Sequence, residues 1–251
     1  MDINELRREL LTLTTKELGK FLKLGYGYSI VPNSIPILWF GDSEAYFNSP
    51  RKIITVSLNP SNNEFCQSSS SKKYSTQARF PKYNGNPKTL IEAFNDYFKK
   101  TNNPYNAWFL ASFKAVLKGF EASHYQGALN TALHTDIASP YATDPSWTGL
   151  TNLEKQFLEP IGSDIWHRLM TVFEPDIILI SASRDYEQKI KFNPVQKMWK
   201  QINVGAKNPL LYKKFEINGK NTDILFQIQG RKPFLQTIEK EKLKFYEHLN
   251  N

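Results

Sequence analysis

Cysteine is almost missing from this chain: its 251 residues carry one, Cys66. A single thiol rules out an internal disulfide framework, a cysteine-built zinc site and an iron–sulfur cluster. The expected setting is therefore the cytoplasm. Histidine is scarce too, with four in all. No carboxylates are paired at a metal-like spacing, which disfavours a metal-dependent nuclease or hydrolase; neither metal nor cofactor is expected. No apolar run is long enough to span a bilayer, so no membrane partner is expected. The first residues, Met1 to Arg8, are too charged for a signal peptide. Internal repeats are absent as well.

Positive charge and aromatic rings are present in quantity. Lys and Arg number 32 against 24 Asp and Glu, a formal net charge of +8. The sequence pI is about 9.3. Such a surplus attracts polyanions through phosphate neutralisation and counterion release. With 17 Phe, 12 Tyr and 5 Trp the chain can also fill a substantial core. The length suits one α/β domain over residues 1–251, with residues 1–34 as an N-terminal helical extension, and a monomer is expected.

Hydrophobic spacing predicts a helix over 4–24, where Leu6, Leu10, Leu11, Leu18 and Leu22 recur at helical intervals. A short apolar piece follows at 35–40. Residues 52–58 form a continuous apolar run that predicts a buried strand ending at Asn59-Pro60. A long polar stretch, 61–88, contains Ser68-Ser69-Ser70-Ser71-Lys72-Lys73 and predicts a mobile or functional loop. Helices are predicted over 89–100, 107–120, 152–173, 183–191 and 236–249, the fourth short and the third weakened at Pro160-Ile161-Gly162. Strands are predicted at 130–137 and 177–180, with a further strand or strand pair at 213–227 around Asn218-Gly219. This alternation implies an α/β fold with a mostly parallel sheet of about four strands, covered on both faces. Ligands of such sheets bind outside the carboxyl ends of the strands. The residues of interest are therefore 59–64, 136–141, 181–184 and 227–233.

Asn59 offers a carbonyl acceptor and an amide donor at once, although Asn-Pro-Ser is also ordinary turn chemistry. Glu64 is an alternative carboxylate for activating water, or a surface charge on the loop. His134 could supply positive charge to a leaving group, or pack within its strand.

Val56-Ser57-Leu58-Asn59-Pro60-Ser61 resembles the first motif of the uracil-DNA glycosylase superfamily, most nearly the Gly-x-Asn-Pro-Gly form of its mismatch-specific and single-strand-selective branches. Leu133 to Pro140 is similar to that family's base-recognition strand. Asp176 to Ser183 sits where the family has its third strand and short helix. Gln227 to Phe234 falls where its second motif inserts into DNA. The resemblance spans roughly residues 35–249 as an order of elements. It implies a three-layer α/β/α sandwich and a monofunctional DNA N-glycosylase that needs no cofactor. Residue by residue, Asn59 matches the water-positioning Asn, and Pro60 and Ser61 match the Pro-Gly, with Ser in place of Gly. Phe80 is the candidate ring for stacking the extruded base, or a core aromatic.

Asp136 matches the recognition Asn, with Asn130 as the counterpart if the alignment is offset. An ionised Asp can only accept, which suits the exocyclic amine of cytosine rather than uracil. Gly230, Arg231, Lys232 and Pro233 stand for the second motif, without its usual His, and Arg184 joins them as a DNA contact. Some bacterial phage-defence glycosylases resemble this superfamily and excise modified cytosines, such as glucosylated hydroxymethylcytosine. The resemblance therefore implies removal of a flipped, modified cytosine-type base, with uracil or mismatch repair, or a non-catalytic DNA-binding module of the same fold, as alternatives.

Overall fold

The computed structural model describes residues 1–24, 27–68, 71–99, 103–202, 210–228 and 234. The chain folds into two compact units interleaved in sequence: Met1–Asp42, Leu58–Lys100 and Thr135–Val172 form the first, and Ser43–Ser57, Thr101–His134 and Phe173–Asn251 the second. The predicted helix over 236–249 lies outside the described residues.

The second unit carries the sheet. Its strands are β1 (Ile53–Ser57), β4 (Ala122–Ser123), β5 (Asn130–Asp136), β6 (Ile177–Ala182), β7 (Asn193–Pro194), β8 (Lys200–Gln201), β9 (Leu210–Ile217) and β10 (Lys220–Ile228). They lie in the order β4-β5-β1-β6-β10-β9-β7, with β8 also on β9. β1 and β10 both run parallel to β6, whereas β9 is antiparallel to β10. The protein is thus α/β, with a mixed sheet of eight strands among the described residues, not the mostly parallel four read from the sequence. The long strands β1, β5 and β6 are those predicted, and the stretch 213–227 forms the strand pair β9–β10. The additions are the two-residue strands β4, β7 and β8, too short to show any periodicity.

Burial explains the central strands. Every residue of β6 is buried, as its unbroken Ile-Ile-Leu-Ile run requires of a strand covered on both faces. The β9–β10 hairpin turns at Asn218 and Gly219, with φ of 52° and 76°. Two consecutive left-handed residues make the tight turn that Asn-Gly favours. Asp176 fastens the same end of the sheet as that turn: its carboxylate accepts from the Lys52 backbone N–H at 2.7 Å and pairs with Lys220 at 2.7 Å. Helices α2 (Ser43–Phe47), α5 (Asn106–Ser112) and α6 (Lys114–Lys118) belong to the same unit. The helix predicted over 107–120 is therefore two, broken at Phe113.

The first unit holds α1 (Ile3–Leu24), α3 (Thr76–Arg79), α4 (Pro87–Asn95) and α7 (Asn152–Phe173), with the small hairpin β2 (Cys66–Ser68) and β3 (Ser71–Tyr74). α1 packs against α4 and buries Leu6, Leu10, Leu13, Leu18 and Phe21. The polar stretch 61–88 is thus largely structured, containing this hairpin and α3. The apolar piece 35–40 is buried without joining a strand.

Gly162 explains why α7 carries Pro160-Ile161-Gly162. A Cβ at this position would sit 2.1 Å from the Ala138 carbonyl oxygen. The helix backbone therefore presses directly on the 138–139 turn. Helix propensity alone would favour Gly162→Ala by about 1 kcal/mol. The overlap reverses that sign, and we expect a loss of roughly 1–3 kcal/mol in chemical denaturation. A stabilised variant would contradict this packing.

Candidate active site

In the sheet order, the chain runs from β1 to β5 on one side, then to β6 on the other. The carboxyl ends of β1 and β6 are therefore the topological switch point, where open α/β sheets bind ligands. β1 leads out through Ser57 into Leu58-Asn59-Pro60. β6 leads into a 3-10 helix, Arg184–Lys189. Arg184 opens that helix, 74% exposed and weakly paired with Glu187 at 3.5 Å.

Past β1, the Leu58 carbonyl accepts the N–H groups of Ala138 and Ser139 at 2.9 and 3.1 Å. This pins the exits of β1 and β5 side by side within the first unit. Asn59 is half-buried there. Its Nδ2 donates to the Tyr141 carbonyl at 3.2 Å and to Thr143 Oγ1 at 3.1 Å. A backbone carbonyl can only accept, so the amide orientation is fixed. The Asn59 Oδ1 takes no hydrogen bond among the described residues and is left to accept from a water. Ser61 forms a bridge to Thr143 and its hydroxyl caps the short helix Asn62–Glu64 by accepting from the Asn63 N–H. Asp136 closes β5, 6% exposed.

Other candidates are placed differently. Asn130 lies at the opposite end of β5 from Asp136, where its Oδ1 accepts from the Arg51 N–H and its Nδ2 donates to the Phe120 carbonyl, both at 2.9 Å. These contacts are structural. Phe80 is 1% exposed and packs against Phe65 and Phe94. In this position it offers no open ring face. Glu64 is neither mobile nor on the surface. It is 3% exposed, ion-paired to Arg79 at 3.2 Å, and accepts the Tyr97 hydroxyl. Burial pushes its carboxyl up to about 7, against the pull of Arg79. Gly230, Arg231, Lys232 and Pro233 lie outside the described residues. Phe234, which follows them, is buried against Phe113, and its N–H donates to the Gln227 side chain.

His134 joins a buried polar chain in the second unit. Thr55 Oγ1 lies 2.8 Å from His124 Nε2, 2.8 Å from His134 Nδ1 and 3.2 Å from the Leu133 carbonyl. One hydroxyl proton serves one acceptor. All three contacts are satisfied if it goes to Leu133 and both imidazoles donate to Thr55. His134 Nε2 then accepts from Ser57 Oγ at 3.1 Å. Phe109 and Phe113 pack against both rings. Burial holds His134 well below its ordinary pKa, with His124 adding to the effect, and pushes His124 down to about 3. Burial thus opposes a charged imidazole at His134, which accords with its reading as a residue packed within its strand.

Stability should accordingly fall as pH drops from 6.5 towards 3. In that window the unfolded chain takes up protons that the buried rings refuse. Denaturation across a pH series checks this, and His124→Gln should flatten the slope.

Tyr141 fell within the stretch 136–141 marked by the sequence, but not as a partner of Asn59; Thr143, Thr55 and His124 escaped the sequence reading, since nothing local marks them as partners of Asn59 or His134. Among the described residues, no group of three or more His, Cys, Asp or Glu could hold a metal ion, and no helix is long and apolar enough to cross a membrane. No family model matches the chain, and no curated protein is significantly similar to it.

Proposed function

We propose that this chain is a monofunctional DNA N-glycosylase with the three-layer architecture of the uracil-DNA glycosylase superfamily. It hydrolyses the N-glycosidic bond of a flipped, modified cytosine-type base and leaves an abasic site, in a setting of defence against phage whose DNA carries such bases. The observation that carries this reading is Asn59. Its amide is locked by two acceptors, so its carbonyl oxygen is preset to hold a water. Nucleophilic attack of water on the electron-poor sugar carbon, as the base leaves with the bonding pair, needs a water oriented in advance, since positioning removes entropy from the barrier. The departing base is read by Asp136, whose carboxylate accepts from a cytosine amine. Arg184 and the Gly230–Pro233 segment contact the backbone phosphates. Extruding the base costs a few kcal/mol, offset within the pocket.

The test is an abasic-site assay on single- and double-stranded DNA carrying cytosine, uracil, hydroxymethylcytosine or glucosylated hydroxymethylcytosine. Strand scission after alkali is expected for a modified cytosine and not for uracil. Intact strands in every arm would remove the enzymatic reading. A second reading, a DNA-binding module without chemistry, draws on the burial of His134, which opposes the positive charge that base departure would use.

A further inference from the structure

Beside Asn59 the first unit contains a groove of about 690 Å³ with no role in holding the water. Pockets of roughly 300–1,000 Å³ accept drug-sized ligands, a class that includes a nucleotide. Asn33, Gln67, Lys73, Tyr74 and Asp144 line it, over an apolar floor of Ile30 and Pro32. The Tyr74 hydroxyl donates to Asp144 at 2.6 Å, and the Asn33 amide donates to the Tyr74 carbonyl at 3.4 Å. The groove's wall is tied to the candidate site. Residue 30 bridges to Thr143, and Thr143 both bridges to Ser61 and accepts the Asn59 amide.

The same wall carries backbone strain. Tyr28, Ser29 and Asn33 have φ of 57°, 61° and 57°. Left-handed backbone is a genuine outlier for a bulky residue such as tyrosine, and such outliers persist only where surrounding contacts over-determine them. Those contacts are present: the Ser29 carbonyl accepts the Asp144 N–H at 3.0 Å, and the Ser29 hydroxyl donates to Glu154. Their effect is to present Tyr28. Its ring stacks on Phe157 at 3.7 Å and 13°, yet the residue remains 43% exposed. A part-exposed aromatic ring two residues from Ile30 in the wall of a groove lined by two amides, a tyrosine hydroxyl, one lysine and one aspartate, on a chain with net charge +8, is chemistry that can hold single-stranded nucleic acid.

We infer that Tyr28 and this groove bind the nucleotide neighbouring the processed one on a single DNA strand. The base stacks on Tyr28, its edge meets the Gln67 amide, and Lys73 faces the phosphate. The inference rests on the reading that the chain handles DNA, but not on excision itself. It assigns single-stranded or opened DNA as the substrate form and makes activity depend on the neighbouring base.

The experiment uses the full chain and single-stranded oligonucleotides bearing 2-aminopurine, a fluorescent adenine analogue, on one or the other side of the target cytosine. Stacking on Tyr28 should quench the probe on one side only. Tyr28→Ala should abolish the quench and weaken binding about tenfold to a hundredfold, whereas Tyr28→Trp retains both. Tyr28→Gly removes the ring while relieving the positive φ, so a loss of binding there is not misfolding. Gln67→Ala should shift the preferred neighbouring base while leaving the quench intact. Unchanged quenching and affinity in Tyr28→Ala and Tyr28→Gly would overturn the inference, as would a native chain that binds no single strand. Tyr28-dependent quenching without abasic sites in any DNA would leave this inference standing and remove the glycosylase reading.

Discussion

Asn59→Ala is expected to lower the single-turnover rate of base excision by roughly a hundredfold to ten-thousandfold, the range for losing a group that positions or activates the reacting water. DNA affinity should stay near that of the native chain, because the proposed mechanism uses Asn59 to hold the water and not the phosphates. The variant should also fold. Truncation leaves the Tyr141 carbonyl and Thr143 hydroxyl, in residues 1% and 0% exposed, without one donor, at a cost of about 1–3 kcal/mol. Asn59→Asp is the sharper probe. It keeps an acceptor for the water, but a carboxylate cannot donate to the Tyr141 carbonyl 3.2 Å away. Two oxygens then face each other, the side chain turns, and the rate should fall almost as far as with alanine. An Asp variant with native rate would show that orientation by Tyr141 and Thr143 is irrelevant; an Ala variant with native rate would show that Asn59 takes no part.

Arg79→Met should destabilise the protein by about 3–5 kcal/mol, the usual result of removing one partner of a buried ion pair. Arg79 lies 3.2 Å from Glu64, and both side chains are nearly inaccessible at 5% and 3%. The guanidinium also donates to the Tyr97 carbonyl at 3.3 Å and lies over the Tyr97 ring at 4.2 Å. Its loss strands a carboxylate among apolar neighbours. Glu64→Gln should also destabilise the fold, because it leaves the 5%-exposed Arg79 guanidinium, which cannot shed its charge, without a counter-ion, even though the amide can still accept from Tyr97. The pH dependence has a definite sign. The folded chain holds the Glu64 proton up to about 7, against an ordinary value of 4.5. Between those values the unfolded chain has released a proton that the folded chain retains, so this group's contribution to stability falls as pH rises through the window. Arg79→Met pushes the carboxyl higher still and extends the fall to higher pH. Chemical denaturation of both variants across that range measures the effect. If Glu64 were instead the carboxylate that activates water, Glu64→Gln would abolish excision with little loss of stability.

The central strands were legible because burial on both faces leaves a continuous apolar run, as at 53–56 and 177–180. The hairpin was legible because Asn218-Gly219 is turn chemistry that few other pairs can supply. The strand count was not, because two residues such as Ala122-Ser123 carry no period. Asn59 stood out through its place after a strand. That Tyr141 and Thr143 are its partners did not, since long-range contacts leave no local pattern. Glu64 was misjudged for the same reason: a carboxylate in a polar stretch reads as a surface charge until its distant neighbours, Arg79 and Tyr97, are known. Asn130 and Asp136 look interchangeable in sequence, yet a strand sends its two ends to opposite edges of the sheet, and only one of them reaches the carboxyl side.

The sheet's margins bear on how the protein behaves at high concentration. Open strand edges are templates on which another chain can add hydrogen bonds and start a fibril. Here β4, at one margin, and β7, at the other, are two residues each. β7 also contains Pro194, which has no backbone N–H to offer. Among the described residues both end strands are thus short, and the apolar β6 and β10 lie inside the sheet, not at its margins. Concentrated stocks should accordingly resist edge-to-edge aggregation, and replacing Pro194 with valine is the change that would most directly weaken that protection.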